Sequence, residues 1–132
     1  RLEISEDAKI LRGGGDVLLF SAVEPKRALK GAQHVVLPNP AGKVDLPAML
    51  AELARRGVNE LHVEAGFRLN GSLVREGCVD EFLLYLNPSF LGDGAQGMLD
   101  LAPFEALDRR PRLVLRSVER VGNDLRVVAR QG

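Results

Sequence analysis

Glu64-Ala65-Gly66 is the stretch of this sequence best suited to chemistry. Leu61 to Glu64 reads as a short strand, so Glu64 stands at its carboxyl end, the edge where α/β sheets bind ligands. Gly66 opens a turn into a helix, and Phe67, Arg68, Leu69, Asn70, Gly71 and Ser72 form the helix's first half. Free N–H groups at such a helix start attract phosphate. Arg68 in the first turn opposes the helix dipole unless an anion is nearby, which favours a phosphate there. The competing readings are plain ones: Glu64 caps the turn in solvent, Gly66 is an ordinary cap, and Arg68 is a solvated cation. The glycines lack the spacing of the dinucleotide fingerprint, so what remains is an unobstructed helix N-terminus.

Other residues carry weaker signals. His62 points to the same side of its strand as Glu64, where a lone histidine usually serves as a packed, hydrogen-bonded residue. Lys26 and Arg27 follow a strand and suit either an added phosphate, such as the one that distinguishes NADP from NAD, or plain surface. The glycine-rich run 91–97 reads as a lid, a substrate rim or a linker. Cys78 is expected to be a small buried hydrophobe. No Ser–His–Asp order, HExxH or P-loop is present. With one cysteine in the chain, a disulfide framework and a multi-cysteine zinc site are excluded, and no metal site is expected.

The elements that must position these residues follow from hydrophobic period and turn chemistry. Arg1 to Ile4, Asp16 to Phe20 and Val35 to Leu37 read as short strands. Val23 to Lys30 has weak helical character. Asp45 is a good N-cap, Pro47 is tolerated in the first turn, and Leu46, Met49, Leu50 and Leu53 form one apolar stripe that Gly57 ends. Leu69, Leu73 and Val74 recur at helical spacing up to Gly77. Phe82 to Leu86 is continuously apolar, as in a strand covered on both faces. Pro103 to Leu107 suggests one helical turn. Gly122-Asn123 between apolar runs predicts a hairpin, with Leu125 to Val128 returning. The sum is an α/β domain, a three-layer mixed sheet flanked by helices, containing a parallel βαβ unit around Glu64 and ending in an antiparallel hairpin.

The chain has 132 residues, enough for one domain with a real core. Lys plus Arg and Asp plus Glu each count 18, so no charge excess points to nucleic acid or an anionic membrane. No apolar run approaches the roughly 20 residues needed to cross a bilayer, and no secretory pattern is seen. A cytoplasmic protein is the expectation, and the start at Arg1 suggests a piece of something longer.

Val63-Glu-Ala-Gly66, Asn70-Gly-Ser-Leu73, Glu76-Gly77, Val79-Asp-Glu81, Tyr85-Leu-Asn-Pro88, Leu91-Gly-Asp-Gly94 and Glu119-Arg-Val-Gly-Asn-Asp-Leu125 form a linked set. It resembles the pyrimidine reductase domain of riboflavin biosynthesis, usually the C-terminal half of a bifunctional deaminase-reductase. The similarity is dense from Val58 to Arg130 and looser from Arg1 to Leu37. The resemblance implies a dihydrofolate reductase-like fold and NADPH-dependent reduction of 5-amino-6-(5-phosphoribosylamino)uracil to its ribityl product. It assigns a substrate contact to Glu64 and cofactor contacts to Gly66, Phe67, Arg68, Leu69, Asn70, Gly71 and Ser72, and it implies a homodimer and a deaminase domain upstream. Ser5-Glu6 departs from the Asp-Ser pair of the family. The family's N-terminal part, with the nicotinamide-side wall and a basic substrate-phosphate segment, has no counterpart in these residues. Residues 1–132 are thus expected to be the C-terminal portion of a single reductase domain, inactive when taken alone. The alternative is a non-catalytic nucleotide-binding or dimerising fragment of the same fold, and the reading frame upstream of Arg1 discriminates the two.

Overall fold

The structure, a computed structural model, describes residues 4–103, 105–106 and 110–132. Its contacts gather into two compact units, Arg1–Leu61 and His62–Gly132.

In the first unit, β1 (Leu18–Ser21) and β2 (Gln33–Val36) pair in parallel, with Leu18 opposite Gln33 and Ser21 opposite Val36. Both strands lie close to the apolar runs that predicted them. The connection between them, including Val23 to Lys30, is irregular rather than helical, and Leu29 within it is buried. A 3₁₀ turn at Lys9–Arg12 precedes β1. There Gly31, at φ +87°, faces the Leu11 carbonyl oxygen, which a Cβ would approach to 2.9 Å, so glycine is required on both counts. Helix α1 (Leu46–Arg55) begins where the N-cap predicts: Asp45 Oδ1 accepts the Ala48 N–H at 2.9 Å. Leu46 is buried, while Met49, Leu50 and Leu53 are half-buried along the expected stripe. Arg56 closes the helix and donates to Gln33 Oε1 at 2.7 Å, tying its end to β2.

The second unit holds helix α2 (Phe67–Arg75) and strands β3 (Glu81–Leu86), β4 (Leu113–Val121) and β5 (Asp124–Gln131). The sheet order is β3-β5-β4, antiparallel throughout. Gly122-Asn123 forms the predicted hairpin turn, with φ +62° at Gly122, its first central residue, as a type II′ turn requires. Cross-strand ion pairs stand at directly opposed positions: Glu81 with Arg130 at 3.0 Å and Glu119 with Arg126 at 2.9 Å. Among the described residues of the unit, the buried apolar ones are Leu73 and Val74 on α2 and Val127 and Ala129 on β5.

Two local expectations differ from what is seen. Residues 58–66, including Leu61 to Glu64, form no strand, and β3 takes an antiparallel partner, β5, rather than closing a parallel βαβ unit. Pairing is a long-range choice that the local apolar pattern of β3 does not encode. Strand β3 is also covered on one face only. Phe82 and Leu84 are half-buried opposite Ala129 and Val127, whereas Leu83 and Tyr85 on the other face are 44% and 56% exposed.

The chain is therefore α/β with mixed pairing, parallel in the first unit and antiparallel in the second, and carries the expected C-terminal hairpin. Of the proposed strand at Arg1 to Ile4 only Ile4 is described, and it is irregular; of the expected helical turn at Pro103 to Leu107, residues 104 and 107 lie outside the described residues and 103, 105 and 106 are not helical. No helix among the described residues is long and apolar enough to cross a membrane.

Candidate functional site

The site residues singled out in the sequence fall together in the second unit, on and just before α2. Glu64 lies in the irregular stretch before α2, its side chain 87% exposed, with His62 Nε2 at 3.4 Å from its Oε1. His62 is itself exposed rather than packed, and the 3.4 Å contact sets the two side chains next to each other.

Gly66 caps α2 without any side-chain cap bond, and no acidic residue stands in the first turn. The first intrahelical bond runs from Asn70 N–H to the Gly66 carbonyl at 3.1 Å, which leaves the N–H groups of Phe67, Arg68 and Leu69 without helical acceptors. The Arg68 side chain is exposed and has no ion-pair or hydrogen-bond partner among the described residues. Gly66 has φ −83° and ψ 170°, a conformation open to any residue, and nothing lies within 4 Å of where its Cβ would be. Neither backbone strain nor crowding within the chain asks for glycine at this position. Open space lies where a side chain would stand, at a helix start whose free N–H groups are donors of the kind that attract an anion.

The later half of the predicted stretch has structural work. Asn70 Nδ2 donates to the Ala65 carbonyl at 2.9 Å and fixes the turn before the helix. Gly71 is buried against the Asp100 backbone, whose nitrogen a Cβ would approach to 2.7 Å. Asp100 N–H donates to the Phe67 carbonyl at 3.1 Å. Arg75 donates to the Asp100 carbonyl and, at 2.9 Å, to Ser72 Oγ, while Ser72 Oγ donates to the Arg68 carbonyl at 3.2 Å. The parts played by Arg75 and Asp100 are absent from the sequence reading. The available signal is Gly71, since a glycine inside a short helix costs roughly 1 kcal/mol against alanine and marks a close approach.

The remaining candidates are placed as follows. Arg27 is held by Glu6 at 2.6 Å and by the Ile4 carbonyl at 3.0 Å, so one of the two proposed phosphate cations already has an anion; Lys26 is exposed. The run 91–97 is exposed throughout, and Gly97 at its end lies beside the Phe67 ring. Cys78 is half-buried, with Sγ 3.6 Å from the Glu76 carbonyl. A Ser21–His34 contact of 2.8 Å is an unforeseen pairing, but Ser21 Oγ gives its proton to the Val23 carbonyl at 2.6 Å. The imidazole therefore donates to the hydroxyl instead of activating it, and the pair is structural. Among the described residues no group of His, Cys, Asp and Glu is arranged to hold a metal ion.

A family model described as the RibD C-terminal domain matches residues 1–127. The riboflavin biosynthesis protein RibD of Escherichia coli K12 is 33% identical over 91 residues, covering 69% of this chain and 25% of that protein. The 2,5-diamino-6-ribosylamino-4(3H)-pyrimidinone 5′-phosphate reductase of Archaeoglobus fulgidus is 29% identical over 133 residues, covering 98% of this chain and 59% of that protein. A solved structure of Acinetobacter baumannii RibD superposes with a TM-score of 0.85 at 26% identity, over 100% of this chain and 35% of that one. The chain thus spans between 22% and 36% of the length of the first RibD relatives it matches.

Proposed function

The chain belongs to the RibD C-terminal domain family, and on that premise we propose that it forms part of an NADPH-dependent reductase of riboflavin biosynthesis. The reaction is reduction of 5-amino-6-(5-phosphoribosylamino)uracil to the ribityl product. The observation that carries the cofactor half of this reading is the cradle at Gly66: three N–H groups without helical acceptors, an exposed Arg68, and open space where a side chain would stand. NADPH bound there would supply the hydride for C1′ of the ribosyl group. Phe67, Arg68 and Leu69 receive its diphosphate through their N–H groups, and Gly66 allows the close approach. Asn70, Gly71 and Ser72 belong to the same cofactor segment by holding its shape rather than by reaching out of it.

Glu64 is the substrate contact. An exposed carboxylate accepts hydrogen bonds from ribose hydroxyls and fixes the sugar's orientation, and hydride transfer depends on orientation more than on a strong acid or base. Residues 1–132 act as one portion of the reductase domain, and the length the chain leaves unmatched in its relatives has room for the rest and for a deaminase domain. The working form is a homodimer, in keeping with the exposed apolar side chains of β4. The test is NADPH oxidation by the full-length protein with the phosphoribosylamino-uracil, with NADH and the diamino-pyrimidinone counterpart run in parallel. No oxidation with either pyrimidine would remove the proposal, and a preference for the diamino compound would move the substrate to that of the archaeal relative.

A further inference from the structure

We infer that the backbone strap at Asp100, held by Arg75, sets the shape of the cofactor cradle, which makes Arg75 a positioning residue for cofactor affinity. This rests on the cofactor reading of Gly66 to Ser72 given above. The bonds form a closed circuit. Asp100 N–H reaches the Phe67 carbonyl in the first turn of α2, and the Asp100 carbonyl receives the Arg75 guanidinium. The same guanidinium donates to Ser72 Oγ, and Ser72 Oγ donates to the carbonyl of Arg68. Both ends of the circuit therefore grip the first turn, at Phe67 and Arg68, the residues whose N–H groups face the proposed diphosphate. Gly71 makes the circuit possible, because a Cβ at that position would occupy the space of the Asp100 backbone.

Helix ends fray, and a helix of 9 residues with no side-chain N-cap has little of its own to hold its first turn. A strap bonded there removes that freedom before the ligand arrives, and preorganised donors bind more tightly than donors ordered on binding. Arg75 is exposed and stands at the far end of α2 from Gly66, so it acts through the strap and not by touching the cofactor.

The test compares Arg75→Met, Arg75→Lys and Gly66→Val in the full-length protein, reading NADPH affinity by nicotinamide fluorescence, the pyrimidine KM and the melting temperature. Arg75→Met is expected to weaken NADPH binding by roughly tenfold with the pyrimidine KM within about twofold, since small displacements of positioned groups carry costs of that order. Arg75→Lys, which keeps one of the two donations, is expected to fall between. If Arg75→Met lowers the melting temperature, amide hydrogen exchange of Asn70 and Asp100 in Arg75→Lys decides instead, since their N–H groups are bonded to the Gly66 and Phe67 carbonyls: faster exchange there supports the strap, and unchanged exchange overturns it. Weakened binding in Gly66→Val with unchanged binding in a stable Arg75→Met overturns the strap alone. Unchanged binding in Gly66→Val overturns the cofactor reading and the strap with it.

Discussion

Gly66 and Glu64 divide the proposed work between them, and substitution separates the two roles. Gly66→Val places a branched side chain in extended backbone that valine adopts readily, where a Cβ meets nothing within 4 Å. The variant should lose about 1 kcal/mol of stability at most, as a branched residue at an N-cap does, and bind NADPH at least tenfold more weakly if the diphosphate closes on this helix start; about 1.4 kcal/mol corresponds to that factor. Equal fluorescence titrations for the two proteins would exclude the assignment. Glu64→Gln keeps the shape and removes the charge. A hydrogen bond to a charged group contributes about 1.5–3 kcal/mol, so kcat/KM for the pyrimidine should fall roughly ten- to a hundredfold while NADPH affinity holds. A loss confined to NADPH affinity would reverse the assignment. Both residues were legible in the sequence only as candidates, because a carboxylate and a glycine flank a helix start. The roles of Asn70, Gly71 and Ser72 were not, because Gly71 is explained by Asp100, far along the chain, and no local pattern announces a partner at that distance.

Among the elements, α1 and the β4–β5 hairpin follow from local rules and appear where those rules place them. Asp45 is the clearest case, a cap read from the sequence and seen bonding Ala48. Asp45→Ala should lower stability by about 1 kcal/mol without changing NADPH affinity, measured by urea unfolding and fluorescence titration. A loss below a few tenths would mean that water serves the N-terminus of α1 as well as the carboxylate does. The strand expected at Leu61 to Glu64 fails for a different reason. Four residues of suitable type become a strand only with a partner to bond, and no neighbour pairs with them among the described residues. Strand β3 was read correctly as an element and wrongly as two-sided, since apolar sequence records what a strand can bury and not what is present to bury it.

At the scale of the whole molecule, the apolar surface left open on the second unit calls for cover. Leu115 and Val118 are 62% and 53% exposed on the face of β4 that continues from buried Ala129 and Val127, and Val114 and Val121 are each 46% exposed on the other. Strand β4 is also an edge of its sheet, with unpaired backbone groups along it. Residues 1–132 expressed alone should therefore associate or melt low, and they should not oxidise NADPH with the pyrimidine, because they span only 22% to 36% of the RibD relatives they match. Turnover within tenfold of the full-length protein would place the whole constellation inside these residues. The full-length protein should sediment as a dimer at micromolar concentration, a stable interface burying on the order of 1,200–2,000 Å². Val118→Lys puts a charge in the middle of the open patch, opposite buried Val127 rather than into the turn, so it opposes association without breaking the hairpin. The variant should sediment as a monomer with its NADPH affinity retained. A dimer unchanged by that charge would mean that β4 faces another part of the same protein, and the dimer contact would then have to lie elsewhere.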